Sequence, residues 1–462
     1  MNIYDLFIDF AIASLLILIG QLFRAKFSFF QRFFIPSSMI AGFLGLLLGS
    51  QCLNILPFSE GIGSYAGVLI IIIFTVVGVN GFEFNKTNSK EEANRIIGFQ
   101  LYRFVAFFMQ FFIPIALTVT VIRSFYPDVN EGIGLLLAAG FSGGHGTAAA
   151  VGKTFAELGF AEATDLGMTF ATVGILVGVF GGLIFIKWAT KKGYTGYIKD
   201  FKYIGGDLKT GLISKENRQS LGDETISSVS LDTLCYHLSL ILTVAGIGFY
   251  INKKVLAPYV LSGIPDFTVA YILALVLFLL LRKTQVYHYI DTRINTKIAG
   301  TCTDYLVFFG ISAIKITVII KYAIPLLILS LAGIVCTFLA VIPLGYRFIK
   351  DSWFEHSIFC YGYLTGVFAI GFVLLRIVDP DNKSKTIEDS AMTPLSGFLE
   401  IACWTSFPIM LVNGNGWTIV GLTLAGFIAC IIIAVSGKMW HRDSLKDRQF
   451  IGISVSNKIK AS

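Results

Sequence analysis

Eleven apolar blocks, each near the length a helix needs to cross a bilayer, recur along this chain, and the short stretches between them hold most of its lysines and arginines. A hydrocarbon core about 30 Å thick takes roughly 20 residues of helix. Spans are therefore read at 4–22, 34–51, 65–82, 97–122 and 162–187, then at 232–251, 266–281, 300–320, 323–346, 392–412 and 417–436. Only 14% of the residues are charged and mean hydropathy is +0.75, whereas soluble domains carry about 25% charged residues. The chain thus reads as an all-α polytopic membrane protein; the weak alternation of a membrane barrel's strands is a different pattern.

Two further apolar segments, 132–155 and 353–378, do not fit as spans. If each enters and leaves on one side as a re-entrant hairpin, 29 of the 36 lysines and arginines fall on a single face, which the positive-inside rule makes cytoplasmic, with the N-terminus outside. If 132–155 crossed instead, the linker's eight cations would move outside. The arrangement that results is a pair of inverted repeats, each of five transmembrane helices plus one re-entrant hairpin. The first occupies 1–187, a cytoplasmic linker 188–231, and the second 232–412. An extra transmembrane helix and a basic cytoplasmic tail fill 413–462. Short echoes keep the same order in both halves, among them "FSGGHGTAAAVG" (141–152) against "FCYGYLTGVFAI" (359–370), where Gly144 falls on Gly362 and Thr147 on Thr365. Inverted repeats with broken helices are a secondary-transporter architecture, and place the binding site near the midplane.

The formal charge of +7 does not point to nucleic acid, because the cations lie in loops where they set topology. Seven scattered cysteines without a CxxC pair read as small hydrophobes. Five dispersed histidines, with no HExxH, Walker A loop or GxSxG elbow, argue against an enzyme or an ATP-driven pump. No cofactor is expected beyond a coupling ion.

Why would an apolar segment break at "SGGHGT"? Gly143, Gly144 and Gly146 allow positive φ and close backbone approach, and non-helical backbone at membrane depth belongs in packed protein or beside a cavity. A helix restarting there offers free N–H groups and a positive dipole end to a carboxylate. Carbonyls freed at the break, with the hydroxyls of Ser142 and Thr147, suit a hard cation such as Na⁺. The plainer reading, glycines that let helices pack closely, is outweighed in this segment by its company of Ser, His and Thr. His145 either donates to substrate, carries a proton or hydrogen-bonds its own loop, the last being the plainest. In "YGYLTG" close packing and a binding role are evenly matched.

Polar residues inside apolar blocks are further candidates, because lipid makes them costly. Asn80 is an ion ligand or a helix cap. Asp304 and Lys315, eleven apart on one expected helix, form a polar pair or an ion site. Arg376 meets a substrate carboxylate through its fork or snorkels to the surface. Glu400 takes an ion or an internal salt bridge, and Asp165 caps a helix dipole.

The stretch "SGGHGTAAAVGKTFAELGFAEATDLGMTFATVGILVGVFGGLI" (142–184), with "IPSSMIAGFLGLLLG" and "FTVVGVNGFEF" before it, resembles the bacterial sodium/glutamate symporters. The resemblance is strong across about 30–187 and thinner beyond. It implies Na⁺-coupled uptake of L-glutamate by an inverted-repeat fold with two re-entrant hairpins. It places the family's GGHGT loop at Gly143, Gly144, His145, Gly146 and Thr147. The second hairpin departs from the family's GHCGFG-type loop: "TG...LLR.VDP" marks Thr365, Gly366, Arg376 and Asp379, as in a divergent branch.

The expected function is secondary active transport of glutamate or a related small carboxylate with Na⁺, in the bacterial inner membrane. Substrate would contact Gly143, Gly144, His145, Gly146, Thr147, Thr365, Gly366 and Arg376, and the ion Ser142, Asn80, Asp304 and Glu400. The expected partners are a small anionic substrate, Na⁺ and membrane lipid, with a homodimer left open and no nucleic acid. H⁺ coupling, an ion channel and a non-transporting scaffold are the alternatives.

Overall fold

A computed structural model describes residues 3–33, 35–81, 90–197, 207, 210–218, 220–259, 264–366, 368–379, 383–390 and 393–445. Helix makes up 79% of it and no strand occurs among the described residues, which makes the fold all-α. The basic tail beyond residue 445, part of the linker and the end of the "VNGFEF" motif lie outside the described residues.

The first half contains α1 (Ile3–Lys26), α2 (Ser37–Leu48), α3 (Ile62–Asn80), α4 (Lys90–Leu117), α5 (Gly132–Phe141), α6 (Gly144–Glu157) and α7 (Ala163–Lys192). Then come α8 (Thr233–Ile251), α9 (Asp266–Leu281), α10 (Thr292–Ser312), α11 (Ile316–Lys321), α12 (Ala323–Leu339), α13 (Trp353–Thr365), α14 (Phe368–Val378), α15 (Thr393–Val412) and α16 (Gly416–Ser436). Six helices among the described residues are long and apolar enough to cross a membrane: 3–26, 62–80, 93–125, 163–192, 233–259 and 416–436. This makes the protein multi-pass.

Several expected spans differ in detail. Helix α2 has only twelve residues, about 18 Å, because Pro36 sets its start and the chain leaves helix at Gly49. The expected 300–320 helix is two elements: α10 starts earlier and ends at Ser312, and Lys315 precedes α11. Asp304 and Lys315 therefore do not share one helix face. The long α4 contains Pro114, which lacks an N–H, and a π turn follows at Thr118–Ile122, where the Thr118 hydroxyl donates to the Pro114 carbonyl at 2.8 Å.

Lipid provides little hydrophobic drive between helices, so close packing must hold the bundle together. Small residues supply it: a methyl on Gly140 would stand 2.6 Å from the Ala171 nitrogen, and one on Gly152 2.6 Å from Thr164 Cα, so α5 and α6 both lie tight on α7. Gly78 meets Ala274 and Tyr271 in the same manner, joining α3 to α9. Phe99, Tyr102, Phe107 and Phe111 of α4 are fully buried, whereas Leu15, Leu18 and Leu22 of α1 face outward.

Ion pairs and one hydrogen bond from a charged side chain tie separate elements together at both ends of the bundle. At one end Lys253 meets Glu157 at 3.0 Å, Lys153 meets Asp266 at 2.9 Å and Lys321 meets Glu162 at 2.7 Å. That last contact holds the Glu162 carboxyl below its ordinary value through the Lys321 hydrogen bond. At the other end Arg95 meets Asp389 at 2.9 Å and Arg347 donates to the His441 carbonyl at 3.2 Å.

Candidate functional site at two helix breaks

Both unusual apolar segments are interrupted and double back. The first breaks after Phe141, and α6 begins at Gly144 with φ +65°, a conformation that favours glycine. Its two ends meet, since a methyl on Gly132 would stand 2.6 Å from the Phe155 ring. The second breaks at Gly366; Gly362 lies against Gly371, and the Phe359 and Phe372 rings stand 5.1 Å apart.

The two tips converge on one face of α7. A methyl on Gly174 would stand 2.5 Å from the Thr365 carbonyl oxygen and 3.1 Å from the Phe141 ring; one on Gly178 would stand 2.7 Å from Thr365 Oγ1. On its other side Phe141 reaches α12, where a methyl on Gly333 would be 2.8 Å from the ring. Gly143, Gly144, His145, Gly146, Thr147, Thr365 and Gly366 all belong to these tips.

Hydrogen bonds at each tip leave a lone pair over. His145 is buried, with Nε2 3.0 Å from Thr172 Oγ1, and Thr172 donates its own proton to the Met168 carbonyl at 2.9 Å. Nε2 must then carry the imidazole proton, which leaves Nδ1 as an acceptor; it is buried and has no partner among the described residues. At the second tip Gln110 of α4 donates to the Leu364 carbonyl at 2.7 Å and to Thr337 Oγ1 at 3.1 Å. Thr337 has already given its proton to the Gly333 carbonyl at 2.8 Å. Both amide hydrogens of Gln110 are therefore used, and its Oε1 is a second buried, unpartnered acceptor.

Other expected site residues lie elsewhere. Arg376 is exposed in the last turn of α14, eleven positions past Thr365, and does not join the tip. The Ser142 hydroxyl donates back to the Ala138 carbonyl at 2.8 Å. Asn80 ties the end of α3 to the start of α10, taking a hydrogen bond from Asn295 at 2.9 Å and donating to the Thr292 carbonyl at 3.3 Å. Asp304 is on an exposed face of α10, with Ser38 as its hydrogen-bond partner. Glu400 forms the internal salt bridge: Arg103 holds Oε1 at 2.9 Å and the Tyr363 hydroxyl holds Oε2 at 2.8 Å. Asp165 accepts the Lys315 N–H at 3.0 Å, in the first turn of α7. Among the described residues no three His, Cys, Asp or Glu side chains gather as metal ligands.

Sequence reasoning passed over Gln110, Thr172 and Thr337. The signal for Gln110 was present, one amide inside "FFMQFF", where a polar group needs a partner.

A multi-pass bundle with two broken, doubled-back segments meeting at one helix face defines the class as a polytopic membrane protein of transporter type. The sodium/glutamate symporter family profile matches residues 3–373, which includes both breaks. The chain belongs to that family, one of transporters rather than enzymes. No curated protein matches it.

Proposed function

We propose that the chain carries L-glutamate or a related small carboxylate together with Na⁺ across the bacterial inner membrane, as a secondary active symporter. The observation behind this reading is the meeting of both helix breaks at Gly174, with a buried acceptor left over beside each. Substrate carboxylates would take the N-terminal amides of α6 and α14. His145 Nδ1 and Gln110 Oε1, which can only accept, suit the substrate ammonium and Na⁺, with Thr147 and Thr365 beside them. The two segments would be re-entrant hairpins of inverted repeats at 1–187 and 232–412, joined by the linker 188–231, and alternating access would move one bundle past the other.

The test is uptake of radiolabelled glutamate into proteoliposomes under an inward Na⁺ gradient, with aspartate and dicarboxylates as competitors. Accumulation that follows the Na⁺ gradient is the expected result. Accumulation driven by a proton gradient alone would move the coupling to H⁺, and passive current without accumulation would make the protein a channel.

A further inference from the structure

A narrow crevice runs between α6 and α3. Ala150, Lys153, Thr154 and Glu157, which share one face of α6 by their helical spacing, line it opposite Gly67 and Ile70 of α3. At its inner end Gly146 meets Ile70, whose Cδ1 would stand 2.8 Å from a methyl on the glycine. Gly146 belongs to the first helix break, so the crevice leads from Lys153, whose side chain is 37% exposed, to one of the two tips. The helix between Gly146 and Lys153 covers about 10 Å. The free space is about 10 Å³, roughly enough for one water and far too little for an amino acid.

Lys153 lies across the mouth of this crevice. Its stem rests on α3, where a methyl on Gly67 would stand 3.1 Å from Cδ, and its ammonium reaches Asp266, the first residue of α9, at 2.9 Å. Asp266 is nearly buried and is also held from its own side: Asn252, just after α8, donates to Oδ1 at 2.8 Å, and the Lys253 ammonium stands 3.4 Å from the same oxygen. The two partners are therefore unequal. If α6 moves away, Asp266 keeps Asn252 and Lys253, whereas Lys153 loses its one carboxylate partner among the described residues. An ion pair this exposed is weak, as a contact that must break and re-form has to be.

We propose that Lys153 and Asp266 bar the entrance to the first helix break, and that parting them opens the crevice between α3 and α6 to the substrate. This rests on the transport reading given above. The packing suits such a parting. Through Gly152 the other side of α6 lies tight on α7, while towards α3 it presents the small residues Gly146 and Ala150. The crevice thus separates α6 and α7 from α3 and α9, and the Lys153–Asp266 pair is a polar tie across it. Once parted, Lys153 is a cation at the mouth of a path for an anionic substrate, which draws the substrate in, while Lys253 still neutralises Asp266.

Full-length protein carrying C52S and C235S, which remove the two exposed thiols, is placed in nanodiscs and labelled through A150C with a hydrophilic maleimide. Labelling should be about two- to fivefold faster in K153M and in D266N, the range that loss of a weak, partly exposed ion pair gives. The K153M/D266N double variant should be no faster than D266N alone. K321Q removes a cation that pairs at the same end of the bundle without lining the crevice, and should leave the rate unchanged. Cys360 and Cys430, both buried, should stay unlabelled throughout, which separates opening of the crevice from general loosening. If A150C does not fold, T154C takes its place. The readout needs neither glutamate nor Na⁺, so faster labelling in a protein that takes up no glutamate supports the bar and tells against the transport reading. Unchanged labelling in K153M or in D266N, additive effects in the double variant, or labelling of the buried native cysteines overturns the proposal.

Discussion

The Thr365 carbonyl oxygen lies so close to Gly174 that a methyl on the glycine would stand 2.5 Å from it. Neither residue can yield easily, because Thr365 ends a helix whose neighbouring carbonyl is held by Gln110, while Phe141 closes the other side of the glycine. G174A should therefore displace a tip, at a cost of about 1–3 kcal/mol, and reduce transport more than it reduces folding. G178A, facing Thr365 Oγ1 at 2.7 Å, should act similarly. G421A is the control, with no atom within 4 Å of its added methyl. Uptake rates normalised to folded protein decide the matter: equal rates in all three would mean that the tips do not work against α7.

Glu400 should matter for stability and not for the ion. Its two oxygens are already taken by Arg103 and Tyr363, and the Arg103 guanidinium also lies 4.8 Å over the Tyr363 ring. Removing one partner of a buried pair strands the other charge, at about 3–5 kcal/mol. E400A should lower the thermal midpoint sharply, and a double R103L/E400L variant should recover part of the loss. The Na⁺ concentration for half-maximal transport should be the same in surviving E400A protein as in wild type. A large rise in that concentration would restore Glu400 to the ion site.

Acid should weaken the Asp389 junction. Burial by itself would raise the Asp389 carboxyl, but hydrogen bonds from His356 and Arg95, both at 2.9 Å, outweigh it and carry the group below its ordinary value. A carboxylate depressed by folding stabilises fully above its unfolded value of about 4. That contribution is lost as pH falls through the lower folded value. D389N should therefore be less stable than wild type at pH 7, and the gap between their thermal midpoints should narrow between about pH 5 and pH 3. A gap that stays constant or widens on acidification contradicts this account.

Much of the layout was legible because lipid imposes strict rules. The apolar blocks located the helices, and "SGGHGT" located the first break within a residue or two, because its glycines come with Ser, His and Thr in a segment that the charge count keeps from crossing. The ends of both broken segments came from the same apolar pattern. What sequence could not give was the level of each polar residue. Arg376 and Asn80 looked like site residues because they interrupt apolar runs, yet one is exposed at a helix end and the other ties two helices together. Glu400 found its partner in Arg103, 297 positions away, a pairing that no local pattern reveals. Gln110 was overlooked for the opposite reason, since one amide among phenylalanines gives no hint of the carbonyl it will hold.

That amide gives the sharpest remaining test. Both Gln110 hydrogens are spent, on the Leu364 carbonyl and on Thr337 Oγ1, so Oε1 faces its buried surroundings as an acceptor without a donor. Left unmade, such a hydrogen bond costs about 1–3 kcal/mol, and a bound cation would remove that cost. Q110L deletes the acceptor and also frees Leu364, whereas Q110E keeps an acceptor oxygen and adds charge. If Oε1 ligates Na⁺, Q110L should raise the half-maximal Na⁺ concentration by at least about tenfold, the equivalent of 1.4 kcal/mol. Q110E should stay closer to wild type at pH values where its carboxyl is ionised. Na⁺ activation curves in proteoliposomes provide the measurement, and a Q110L curve overlying that of wild type would remove Gln110 from the ion site.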